Sequence, residues 1–147
     1  MNVRTRGVVG LVLVCTAFFL VLTCLDFLLM NNFQFWINPD VLYRYWIILG
    51  LVVVVFSFAL SFMSYVNGQA RRVWVATFLT PLLLFAGGLL DLFYCGFSFM
   101  QGRVYSWSIW SFQWKIFSYW DGALQAIWST VFFAVVGLLW YLALRDS

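Results

Sequence analysis

Two aspartates, Asp26 and Asp91, stand inside long apolar runs, in the contexts Leu25-Asp26-Phe27-Leu28 and Leu90-Asp91-Leu92-Phe93. Inserting a carboxylate at mid-bilayer costs roughly 2.5–3.5 kcal/mol, so such a group faces protein or water rather than lipid. The chemistry open to it is ion pairing, proton exchange or recognition of a polar group on a ligand. Arg44 falls at matching depth in the next apolar run, so the simplest expectation is an Asp26–Arg44 ion pair, with Arg103 or Lys115 serving Asp91. The sharper reading is a polar intramembrane site built from Asp26, Arg44 and Asp91.

The rest of the inventory is restrictive. Histidine and glutamate are absent, the acids are five aspartates, and the bases are seven arginines and Lys115. Without histidine there is no bis-His haem and no His-rich copper or zinc site, and the usual general base near neutral pH is missing. Without glutamate there is no carboxylate-bridged di-iron centre of the helical-bundle kind. Cys15, Cys24 and Cys95 have neither CxxC pairing nor metal-ligand spacing. Cys24 and Cys95 fall at similar depth, which leaves a disulfide open to be decided by geometry. No catalytic, cofactor-binding or metal-binding set is assembled, and no cofactor is expected.

The elements that position these residues follow from composition. The 147 residues are 65% hydrophobic, 22% aromatic and 9% charged. Soluble domains run at about 45–50% apolar and about 25% charged, and a chain this short has too little interior to hide the excess. A net charge of +3, scattered along the chain, makes no nucleic-acid footprint. The expected solvent is a lipid bilayer.

Runs of about 20 apolar residues span hydrocarbon as helices. Four are read here, over residues 8–30, 41–65, 73–99 and 122–144. The fold class is therefore an all-α integral membrane protein, a single four-helix transmembrane domain over residues 1–147. The first run is too long for the apolar core of a cleaved signal peptide and lacks an A-x-A site, so it is expected to remain as a span.

Four spans put both termini on one side with the 65–72 link. That side carries Arg4, Arg6, Arg71, Arg72 and Arg145, against Arg44, Arg103 and Lys115 on the other. The positive-inside rule places both termini in the cytoplasm of a multi-pass protein, most simply in the cell membrane.

Several finer features bear on packing. Asp40 and Asp121 precede spans two and four, where a carboxylate suits orphan N–H groups and the positive helix end. Ser57, Ser61 and Ser64 lie on one face of span two, as small residues do where helices approach closely. Thr80-Pro81 should kink span three, with Gly87-Gly88 as a small-residue face beyond it. Asn67-Gly68 signals a turn. The order Asp, aromatics, Asp, polar residue, Trp occurs twice, as Asp26, Phe33/Phe35, Asp40, Arg44, Trp46 and as Asp91, Phe97/Phe99, Asp121, Gln125, Trp128. It reads either as coincidence in a Leu/Phe-rich chain or as a duplication with an insertion in the second outer link.

That link, residues 101–120, is QGRVYSWSIWSFQWKIFSYW. It reads as a short aromatic interfacial helix, since Trp and Tyr prefer the headgroup level. Trp107, Trp110, Trp114 and Trp120 are the candidate interfacial or partner surface. The leading expectation is a non-enzymatic accessory or structural subunit, packing against other membrane protein subunits or copies of itself. The alternative is a binder or carrier of a small lipid-like or isoprenoid molecule in a pocket near Asp26 and Asp91. The third is a lipid-modifying enzyme using one aspartate.

Overall fold

The computed structural model describes residues 3–33, 39–103 and 119–145. Five helices account for the secondary structure of these residues: α1 (Val3–Phe33), α2 (Pro39–Val66), α3 (Arg71–Ala86), α4 (Leu89–Met100) and α5 (Gly122–Arg145). Three stretches, Val9–Leu29, Arg44–Val66 and Gly122–Arg145, are long and apolar enough to cross a membrane. A fourth is obtained if α3 and α4, bent by 49° at their junction, form one broken span.

The chain divides into two compact units, Met1–Leu49 and Gly50–Ser147. The first holds α1 and the opening turns of α2. Cys15, Phe19, Leu22, Thr23 and Asp26 are buried there, at spacings of three to four residues that make one helical stripe.

The second unit holds the rest of α2 with α3, α4 and α5. Helix α2 ends at Gly68, whose φ of 69° allows Gln69 N–H to reach Ser64 O at 3.1 Å and Gly68 N–H to reach Tyr65 O at 2.9 Å. This is the left-handed glycine stop that satisfies the last carbonyls of a helix, on the Asn67-Gly68 turn expected from sequence. Gly102 (φ 68°) ends α4 likewise, with Arg103 N–H on Ser98 O at 2.9 Å.

The serine stripe of α2 meets α3. Ser61 Oγ donates to Trp74 O at 3.0 Å and Ser64 Oγ to Thr77 Oγ1 at 3.3 Å, while Ser57 Oγ turns back to Val53 O at 2.8 Å. Helices α3 and α5 run antiparallel, as seen from Trp140 Nε1 donating to Thr80 Oγ1 at 2.8 Å at one level and Trp128 Nε1 to Ala86 O at 2.7 Å at another.

The 49° bend of this stretch lies at the α3–α4 junction, beyond the Thr80-Pro81 step where the sequence predicts a kink. Helix α3 continues through Pro81 and ends at Ala86. Pro81 is buried among the turns that face α5, and Thr80 Oγ1, holding Ala76 O at 2.7 Å, braces the turn that proline weakens. The break comes instead where Gly88 takes φ 77°, in the left-handed region, and opens α4 as its N-cap.

Candidate functional site

In the first unit Asp26 is 4% exposed. Its carboxylate accepts a 2.6 Å hydrogen bond from Tyr45 Oη. The expected Arg44 partner is exposed, and the bond goes to its neighbour Tyr45. Successive residues are about 100° apart around a helix, so only one of the two faces Asp26. Removing the hydroxyl leaves a buried carboxylate without its phenol, a loss of about 1–3 kcal/mol. Tyr45→Phe is therefore expected to lower unfolding stability in detergent by about 2 kcal/mol. The double variant Tyr45→Phe/Asp26→Leu, which removes both polar partners, should recover most of it.

The most developed polar arrangement lies at the α3–α4 break. A turn interrupted at Gly87–Gly88 leaves carbonyls without the N–H one turn on, and α5 supplies donors. Ser129 Oγ donates to Gly87 O at 2.6 Å and Trp128 Nε1 to Ala86 O at 2.7 Å. Gln125 Nε2 reaches Gly87 O at 3.3 Å, Gly88 O at 3.5 Å and Ser129 Oγ at 3.0 Å. Gln125 Oε1 in turn accepts from Trp120 Nε1 at 2.8 Å. Gln125 is fully buried. The rings close over the cluster, with Trp120 edge-on to Trp128 at 5.8 Å and Trp128 on Phe132 at 5.1 Å.

Helix α5 packs closely on Gly87. A Cβ placed there would stand 2.6 Å from Phe132 Cβ and 3.1 Å from Leu83 O. The close approach brings Ser129 and Gln125 within reach of the freed carbonyls. Sequence reasoning took Gly87-Gly88 for a small-residue face and Gln125 for a repeat position, and missed the polar cluster they form. The available signal was a glycine pair in one span and a buried-type polar trio, Gln125, Trp128 and Ser129, at helical spacing in the next.

The other candidates fall as follows. Asp91 is buried in the first turn of α4, where a carboxylate faces the helix's unpaired N–H groups. It belongs to a different compact unit from Asp26 and Arg44. Trp120 is 6% exposed and committed to Gln125, so it contributes to the interior of its unit. Trp107, Trp110, Trp114 and Lys115 lie outside the described residues, as does the aromatic interfacial segment they define. The side chain of Asp40, read as a cap of α2, is likewise outside the description. Cys15, Cys24 and Cys95 are free thiols, so the Cys24–Cys95 disulfide is not formed. Among the described residues no group of three or more His, Cys or Asp side chains could hold a metal ion. The two repeat candidates also differ locally: α1 runs unbroken through Leu25-Asp26, whereas α4 starts afresh at Leu89.

Asp121 caps α5 as its position suggests. Its Oδ1 accepts from Leu124 N–H at 2.8 Å and its Oδ2 from Tyr119 Oη at 2.8 Å. The Leu124 amide first, then the Tyr119 hydroxyl, hold the Asp121 carboxyl below the usual carboxylate range, and the same bond pushes the Tyr119 phenol up. A depressed folded pKa stabilises the folded state above the ordinary Asp value of about 3.9. That contribution is lost as pH falls through the lower folded value. The protection factor of the Leu124 amide in hydrogen exchange is expected to hold from neutral pH to about 4 and to drop below it. Asp121→Ala should show the low protection at every pH.

The donors at the break are spent on the chain's own carbonyls, so this cluster holds a bent helix together and offers no general acid or base. No protein-family model, no curated protein and no solved structure matches the chain.

Proposed function

We propose that this chain is a multi-pass integral membrane protein with cytoplasmic termini, serving as a non-enzymatic accessory or structural subunit that packs against larger membrane partners or copies of itself. The observation that carries this reading is the division of labour on α5. Its polar face is consumed internally, while Ile127, Val131, Val135, Leu138 and Leu142 remain exposed. The last four follow one another at i, i+4, i+7 and i+11, the spacing of a helix-packing seam. Only 11% of this span is buried. The excess of arginines on the side of the termini supports the orientation.

The test is site-directed photocrosslinking in native membranes from Val131 and Val135. A discrete protein adduct at both positions is expected, together with a fixed partner, or a fixed oligomer, in mild detergent. Adducts to lipid alone, with a monomer that elutes alone and stable, would overturn the reading.

A specific observation favours one alternative, the binding of a small apolar molecule. Phe58, Phe62, Tyr65, Trp74 and Phe78, with Ser61, line a groove of about 440 Å³ between α2 and α3. Solvent extraction of the purified protein followed by mass spectrometry separates the two readings. One uncharged lipid or isoprenoid species recovered in stoichiometric amount belongs to the carrier alone.

A further inference from the structure

The first turn of α3 meets the last turns of α5 around a second recess, of about 360 Å³, lined by Arg72, Val75, Leu139, Leu142, Ala143 and Arg145. Two guanidiniums and four apolar side chains share one cavity. An inorganic anion would find the charge agreeable and the walls hostile, and a hydrocarbon the reverse. The lining matches a molecule with an anionic head and an apolar body.

The electrostatics add to this. Helix α3 opens with Arg71 and Arg72, has no acidic residue in its first turn and has no side-chain cap on its N-terminal amides. Two cations thus stand at the positive end of the helix dipole, and Arg145 in the last turn of α5 faces the same recess. Three arginines, Arg71, Arg72 and Arg145, thus gather where these two helix ends meet. Both helices reach this point at the ends of candidate membrane spans, the level at which lipid headgroups lie.

We propose that this recess binds an acidic phospholipid, its phosphate held by Arg72 and Arg145 and its acyl chains laid along Val75 and Leu139. The planar guanidinium fork suits phosphate oxygens in pairs, and a basic residue near an anionic lipid surface contributes about fivefold in affinity. The proposal rests on the chain spanning a bilayer and is independent of any protein partner.

The full chain, purified in detergent, is exposed to equimolar phosphatidylglycerol and phosphatidylcholine with identical acyl chains, and the bound ratio is read by native mass spectrometry. The wild type should retain phosphatidylglycerol preferentially. Arg72→Gln and Arg145→Gln, which keep the packing of the stems, should each lower that preference about fivefold, and the double variant on the order of 25-fold. Arg71→Gln removes the same charge outside the recess and should change it less than about twofold.

An equal fall in Arg71→Gln would reduce the effect to diffuse surface charge and overturn the site. So would the absence of a wild-type preference, or displacement of the lipid by millimolar inorganic phosphate or glycerophosphoglycerol. Recovery of the chain from cells in the aqueous fraction would instead strike the membrane reading itself.

Discussion

Gly87→Ala is expected to destabilise the Gly50–Ser147 unit by about 3 kcal/mol, at the upper end of what overpacking costs. The new methyl would meet Phe132 Cβ at 2.6 Å, a contact no rotamer can relieve because both atoms are fixed to their backbones. Gly87 has φ −71°, open to any residue, so the whole effect is steric. Separating α3 from α5 to make room also lengthens the bonds from Ser129 and Gln125 to the freed carbonyls. Reversible unfolding in mixed micelles measures the loss. The second-site pattern is diagnostic: Phe132→Ala keeps the offending Cβ and should rescue little. Phe132→Gly removes it and should be the more stable of the two by about 2 kcal/mol, the relieved clash less about 1 kcal/mol for a helical glycine, since both variants lose the ring.

Gln125→Leu is expected to cost a similar amount, about 3 kcal/mol, by a different route. Leucine fills the space but deserts Trp120 Nε1 and weakens the cover on the Gly87 carbonyl, and each buried polar group left unpaired costs about 1–3 kcal/mol; Gly88 O keeps its bond from Leu92 N–H at 3.0 Å. Because Ser129 also serves Gly87 O, Gln125→Leu and Ser129→Ala should be non-additive in a double-mutant cycle, as members of one network are. Glutamate at position 125 should restore stability only in part, since a buried carboxyl held neutral has one hydrogen to offer where the amide has two. Additive losses, or a full rescue by glutamate, would show that the network does not act as a unit.

Much of the helical layout was legible because hydropathy is a one-dimensional signal. The runs read at 8–30, 41–65 and 122–144 lie within α1, α2 and α5; α1 extends furthest beyond its run, through polar residues at both ends, and α5 adds only Arg145. The Asp121 cap and the Asn67-Gly68 turn were legible for the same reason, being contacts between residues two to five apart. What escaped depends on the rotation of one helix against another. Asp26 prefers Tyr45 to Arg44 by a difference of about 100° around α2, which no spacing rule contains. The break fell at Gly87–Gly88 rather than at Pro81 because donors 37 to 42 residues downstream make a left-handed glycine at that depth tolerable. Gln125 drew notice only through its place in an apparent repeat, since its importance lies in acceptors that a straight helix would not have left exposed.

The break has a consequence for how a chain of such helices would enter a membrane. At 1.5 Å per residue, the 16 residues of α3 extend about 24 Å and the 12 of α4 about 18 Å, so neither rod alone clears the roughly 30 Å of hydrocarbon. Joined, they do, but only with the carbonyls of Ala86 and Gly87 stranded at mid-depth until Trp128 and Ser129 arrive. Those residues leave the ribosome some forty positions later. If α3 and α4 form one broken span, that crossing is made in outline as it is translated and is sealed only when α5 follows.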